Sequence, residues 1–123
     1  MTKPQSIAKF LDQQSMLALA RSSWVDVPDL HLEVYLRKSK RIIAGQARET
    51  IDVANLVVET EHWRKGNATK FYERIEAEAD ARNLVVFIEN AHLDFMRKMH
   101  VRRGYQPCEG YALCYFRLPK VSQ

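Results

Sequence analysis

The stretch 57–81 constrains this chain more than any other. An apolar, strand-like run closes at Glu59, a short polar turn with one glycine, Gly66, follows, and then a strong helix begins. Strand, glycine turn and helix in that order aim backbone N–H groups, and the positive end of a helix dipole, at an anion. The rest of the chain is expected to build a sheet around this junction.

The helix reading rests on spacing. Ala68, Phe71, Tyr72, Ile75, Ala79 and Arg82 fall on one face of 67–82, and only Arg82 breaks its apolar character. Glu73, Arg74, Glu76, Glu78 and Asp80 are expected on the other, solvated face. Asn83 is a natural stop. The run 84–88, Leu-Val-Val-Phe-Ile, is continuously apolar, as in a strand buried on both faces. Residues 50–59, with Ile51, Val53, Leu56, Val57 and Val58, read as a long strand. The segment 50–88 is therefore strand–helix–strand, for which a right-handed parallel crossover is expected.

Upstream, 6–21 reads as an amphipathic helix with Ser6 as its N-cap and no strand before it. Trp24 and Val25 approach Pro28, so the helix has ended by then. The run 30–36 alternates like a half-buried strand, 37–40 (Arg-Lys-Ser-Lys) reads as a turn, and 41–45 as a weaker strand. Residues 46–49 carry no clear pattern. Downstream, 91–103 reads as a helix ended by Gly104, and 105–108 with 111–118 as a final aromatic hairpin.

A length of 123 residues fits one domain, spanning 1–123. Hydrophobic residues at 46% and charged residues at 28% place the chain among soluble globular proteins rather than disordered ones. No signal peptide or membrane-length apolar run is visible, so a cytoplasmic location is expected. In that setting Cys108 and Cys114, even if carried on two arms of one hairpin, are expected as reduced thiols. Without a partnering His pair they make no zinc site, and no metal is expected. The net charge of +4 suits an anionic ligand, a phosphorylated cofactor or nucleic acid.

The order of these elements, with the residues at the turn, resembles the GNAT superfamily of N-acyltransferases. Val58 takes the place of the family's strand valine. Trp63-Arg64-Lys65-Gly66-Asn67-Ala68 takes the place of its Gln/Arg-x-x-Gly-x-Gly/Ala loop, with Trp63 standing for the leading Gln or Arg. Gly104-Tyr105 matches the family's helix-ending Gly-Phe or Gly-Tyr. His100 stands where a Tyr is usual, and Leu93 where an Asn often opens that helix. The resemblance spans roughly 30–118.

It implies an α/β (mixed α+β) fold: a central mixed sheet with antiparallel N-terminal strands, a parallel pair splayed at the cofactor site, and about three flanking helices. It also implies acetyl-CoA as co-substrate, with the pyrophosphate held by Trp63, Arg64, Lys65, Gly66, Asn67, Ala68 and Thr69 and the Val58 main chain beside the rest of the cofactor. The implied reaction is direct acetyl transfer to an amine of unknown identity. Asp52, at a position where some members carry a base, and Glu59 are the candidate carboxylates. Strict alternation along the strand puts Asp52 on one face with Ala54, Leu56 and Val58, and Glu59 on the other. His100 is the candidate proton donor to the leaving thiolate; His62, in the loop, is a second histidine within reach of phosphate or substrate.

Two other readings stand beside this one. The first is a GNAT-fold structural or interaction module without catalysis. The second is a nucleic-acid-binding module using the basic clusters Arg37, Lys38, Lys40, Arg41 and Arg97, Lys98, Arg102, Arg103, although aromatic residues are not interleaved with them. Tyr111, Tyr115 and Phe116 on the last strand suit either a homodimer contact or the core.

Overall fold

A computed structural model describes residues 6–12, 22–59, 61, 66–89, 102–108 and 114–120. The elements in chain order are α1 (Ile7–Asp12), β1 (Ser22–Val27), β2 (Leu32–Ile43), β3 (Gln46–Val58), α2 (Asn67–Ala81), β4 (Val85–Ile88), β5 (Gln106–Pro107) and β6 (Tyr115–Arg117). A single 3-10 turn, Pro28–Leu30, links β1 to β2. The strands form one six-stranded sheet in the order β1-β2-β3-β4-β6-β5. Its pairs are antiparallel except β3 with β4. The parallel pair requires a crossover connection, and α2 lies within it, as its periodicity demands.

One face of the sheet carries the main core. Val25, Val27, Val34, Leu36, Ile51, Val53, Val86 and Ile88 pack there against Phe71, Tyr72, Ile75 and Ala79 of α2 and Ile7, Phe10 and Leu11 of α1. The spacing of the α2 residues is one apolar stripe of a helix. Ser6 caps α1, accepting a hydrogen bond from the Lys9 N–H at 3.0 Å. The remainder of the expected 6–21 helix, like most of 91–103, lies outside the described residues. The other face carries a smaller cluster, Ile43, Val85 and Phe87, with Phe116, Cys108 and Cys114 packed against it.

Several sequence readings change in the structure. β1, from 22 to 27, is a strand, where the sequence suggests only a polar break after a helix ending at 21. Its inward residues, Val25 and Val27, are too few to announce a strand by alternation. The expected turn at 37–40 is the middle of β2, and the reversal comes later, at Ala44 and Gly45 with φ of 51° and 82°. Two consecutive positive-φ residues are the signature of a tight hairpin turn whose twist matches the strands it joins. The charged run suggests a turn, but its members have partners elsewhere in the fold: Arg37 donates to Glu89 beyond β4, Ser39 to Asp52 on β3, and the Lys38 ammonium to the Leu11 carbonyl of α1 at 2.8 Å.

Glu76, expected on the solvated face of α2, is buried instead. Arg103 grips it with Nε at 2.9 Å and Nη2 at 2.6 Å, and the Tyr105 hydroxyl donates to it at 3.0 Å. One turn on, Asp80 accepts two bonds from Arg117, at 2.9 and 3.1 Å, and one from the Lys120 N–H at 2.9 Å. These two carboxylates tie α2 to the C-terminal part of the chain. Burial pushes the Asp80 carboxyl up, but the Arg117 guanidinium and the Lys120 N–H outweigh it and hold it below the ordinary range.

A carboxyl depressed in the folded state stabilises the fold at pH values above its unfolded pKa, near ~3.9, and loses that contribution as pH falls through the folded value. Asp80→Asn is therefore expected to lower the urea midpoint at neutral pH. The gap to the unmodified chain should shrink below about pH 4. Paired urea titrations across that range check it; a gap that stays constant into acid contradicts the ion-pair account.

Candidate functional site

The junction marked by the sequence is built from the ends of β3 and α2. β3 pairs with β2 along its whole length, from Gln46 to Val58. Its pairing with β4 is far shorter: Thr50 to Val53 against Val85 to Ile88, with the Glu89 N–H reaching the Val53 carbonyl at 3.1 Å as the last rung. Beyond Val53, β3 continues through Ala54, Asn55, Leu56 and Val57 to Val58 with no partner from β4 among the described residues. The described pairing of the two parallel strands thus ends at Val53, and among the described residues β4 does not pair the segment of β3 from Ala54 to Val58.

A bulge sits at the point of parting. Tyr35 lies opposite Asn55, but Leu36 lies opposite Val53, so Ala54 is an extra residue on β3. A bulge bends and twists its strand and interrupts the alternation. That interruption overturns the expectation that Asp52 shares a face with Leu56 and Val58. Ile51 and Val53 before the bulge, and Leu56 and Val58 after it, all pack on the main core, whereas Asp52 lies on the opposite face.

Asp52 is fully buried. It accepts hydrogen bonds from Ser39 Oγ at 2.8 Å, Thr50 Oγ1 at 2.6 Å and Arg41 Nη2 at 2.9 Å, with Arg41 Nε at 3.4 Å. Arg41 lies over the Phe87 ring, 4.1 Å from its centroid. The same Nη2 also donates to Glu89 at 3.0 Å, and Arg37 Nη1 donates to Glu89 at 3.1 Å. Two arginines from β2, Asp52 from β3 and Glu89 from the end of β4 therefore form one charge-balanced network across the three strands, at the level where β3 and β4 separate. Burial lowers the Arg41 pKa, but hydrogen bonding and charge from Asp52 outweigh it and the guanidinium is held above its ordinary value. Glu89 was not singled out from sequence; only the place of its neighbours across the sheet gives it a role.

At the other end of the junction, Gly66 precedes α2 with φ 82° and ψ 4°, and among the described residues no side chain caps the helix. Its carbonyl accepts the first helical bond, from the Lys70 N–H at 3.0 Å. A Cβ on Gly66 would meet no described atom within 4 Å. Asn67 does not point there: its side-chain amide donates to the Leu30 carbonyl at 2.7 Å, bracing the helix against the 3-10 turn. Ala68 and Thr69 complete the first turn, both half-buried. Glu59 follows β3, is largely exposed, and lies 3.7 Å from His31 Nδ1. His62, Trp63, Arg64, Lys65 and His100 lie outside the described residues.

The structure thus describes the end of β3, with Val58 and Glu59, and the start of α2 at Gly66, with Asp52 and Glu89 at the last rung of the β3–β4 pairing. It does not put Asp52 on the same face as Val58.

No family model matches the sequence, and no curated protein matches it. Solved structures do match. A KacTA–DNA complex superposes with a TM-score of 0.56 at 15% identity, covering 71% of this chain and 57% of that one. A mutant AtaT toxin bound to the C-terminus of the antitoxin AtaR and acetyl-CoA gives a TM-score of 0.53 at 16% identity, over 71% of this chain and 57% of that one. AtaT complexed with acetyl-methionyl-tRNAfMet gives 0.56 at 12% identity, over 72% and 62%. This chain thus matches less than two thirds of the length of each. At such identities the likeness is one of fold: a mixed six-stranded sheet with one parallel pair and flanking helices, arranged as in GNAT-like proteins.

Proposed function

We propose that this chain binds acetyl-CoA where β3 and β4 part, and transfers its acetyl group to an amine. The observation that carries this reading is the early end of the β3–β4 pairing. β3 runs on past Val53 to Val58 with no β4 partner among the described residues, and α2 starts at Gly66 with no described side chain capping it. A strand edge offers N–H and C=O groups to an extended amide chain, and a helix start offers N–H groups and a dipole to a diphosphate. The pantetheine arm of acetyl-CoA is such an amide chain, and a diphosphate lies at its end.

In this reading the backbone of β3 up to Val58 lines the pantetheine. The first turn of α2, Gly66, Asn67, Ala68 and Thr69, donates N–H groups to the diphosphate, with Trp63, Arg64 and Lys65 completing the loop. Acetyl-CoA supplies the thioester; the chain has to orient it, accept a proton from the amine and return one to the thiolate. Glu59, exposed just after β3, is assigned the proton from the amine. His100 is assigned the return of one to the thiolate. Asp52, with its oxygens already engaged by three side chains, is assigned a positioning role: it holds the network that fixes the parting of the strands.

The amine remains open by class. The AtaT complex with acetyl-methionyl-tRNAfMet makes the α-amine of an aminoacyl-RNA the first acceptor to try, in keeping with the net charge of +4. Isothermal calorimetry with acetyl-CoA tests cofactor binding, and thiol release across amine and aminoacyl-RNA acceptors tests turnover. Binding with Kd in the micromolar range and acceptor-dependent thiol release are expected. No binding at high micromolar concentration overturns the reading. Binding without release on any acceptor favours the non-catalytic module.

A further inference from the structure

We propose that Cys108 and Cys114 form a redox-sensitive dithiol site, closing to a disulfide when a low-molecular-weight disulfide is present and reopening with excess thiol. The β5–β6 register pairs Gln106 with Phe116 and Pro107 with Tyr115, and the Cys108 N–H donates to the Cys114 carbonyl at 3.0 Å. The two cysteines are therefore directly opposite one another in a hydrogen-bonded antiparallel pair. Their side chains leave the sheet on the same side, and both pack on the Ile43–Val85–Phe87 cluster. Both are free, and both are part-exposed, so a small oxidant can reach them.

The distances of such a pair favour a labile bond rather than a permanent one. Opposite residues in a hydrogen-bonded pair have Cα atoms about 5.5 Å apart, inside the range for disulfides. Their Cβ atoms lie about 4.5–5.5 Å apart, whereas a disulfide draws them to about 3.5–4.5 Å. Closure thus pulls the hairpin in and stores strain, and strained, accessible disulfides are the easily reduced, regulatory kind. In a reducing compartment such bonds are transient sensors, not structural staples. Burial and then the neighbouring Cys114 push the Cys108 thiol up, with the Arg41 charge opposing, so the sulfurs and that guanidinium lie within electrostatic reach of one another.

Arg41 belongs to the network that pins β2, β3 and the end of β4. One further step of the β4–β6 register, beyond Ile88 opposite Tyr115, would set Cys114 across from Glu89. The dithiol therefore sits beside the place where the strands part, not at a remote edge.

With glutathione disulfide as oxidant the step balances. One cysteine thiolate attacks a glutathione sulfur and expels one glutathione thiolate. The second cysteine then attacks the protein sulfur of that mixed disulfide and expels the other. Two protein thiols are oxidised, one glutathione disulfide is reduced to two glutathiones, and two protons follow the leaving thiolates.

The test is to equilibrate the native chain with graded ratios of glutathione disulfide to glutathione, quench with acid, and read intact mass and thiol count. The expected product has lost two hydrogens, carries no glutathione, and reverts fully on raising glutathione. Cys108→Ser and Cys114→Ser should each instead stop at a single glutathione adduct. Amide exchange at Tyr115 and Phe116 should slow in the oxidised form. A native chain that accumulates glutathione on both cysteines overturns the proposal. So does one that stays reduced at ratios where the urea-unfolded chain forms the bond.

Discussion

Replacing Asp52 by alanine is expected to destabilise the fold by about 3 kcal/mol, at the lower end of what breaking a buried ion pair costs because Arg41 keeps some solvent contact. Asp52 is fully buried, and its oxygens are the shared acceptor for Ser39, Thr50 and Arg41. Alanine leaves those donors facing one another across a small void, with the Arg41 charge half-neutralised by Glu89 alone. For a domain whose whole stability is about 5–15 kcal/mol, that is a large share. Asp52→Asn keeps the shape and one acceptor oxygen and should cost less. Pairing Asp52→Ala with Arg41→Met removes the orphaned charge and should recover part of the loss. Urea denaturation of the four proteins reads this directly. An Asp52→Ala chain as stable as its parent would mean that the network is not formed.

The second large effect concerns binding. Gly66→Val is expected to weaken acetyl-CoA binding at least tenfold. Gly66 has φ 82°, a conformation that costs an L-residue about 1–2 kcal/mol and a β-branched one more. The new side chain would also add bulk at the residue that opens the proposed diphosphate site, with no described atom within 4 Å of its Cβ. Gly45→Val separates the two contributions. Gly45 has the same φ of 82° and the same open surroundings, but it turns the β2–β3 hairpin, far along β3 from Val58. It should lose similar stability and keep its affinity. Calorimetry on both variants, at a temperature where both are folded, decides. Equal losses of affinity would mean that Gly66 matters only as a fold element.

What could be read in advance follows from how local each signal is. α2 was legible because Phe71, Tyr72, Ile75 and Ala79 recur at the helical period, and β4 because four consecutive buried residues leave no room for polarity. The helix stop at Asn83, with φ 57°, and the glycines at 66 and 104 are likewise written in single residues. Several of the misreadings are cases in which a charged side chain found a partner far away in sequence. Arg37 and Ser39 look like turn residues until Glu89 and Asp52 come alongside. Glu76 looks solvated until Arg103 and Tyr105 close over it. The bulge at Ala54 was not legible either, since alanine is compatible with any strand position, and it reverses the face assigned to every residue beyond it. The acceptor side of the site carried no signal of its own.

The central claim is that acetyl-CoA lies along the end of β3 and against the start of α2. An amide chemical-shift titration of the isotopically labelled chain with acetyl-CoA tests it most directly. The account predicts saturable shifts concentrated at Ala54 to Val58 and Gly66 to Thr69, reproduced by CoA and by its 3′,5′-diphosphate nucleotide part only at the helix start. Saturable binding that moves amides elsewhere and leaves both segments unmoved would contradict it.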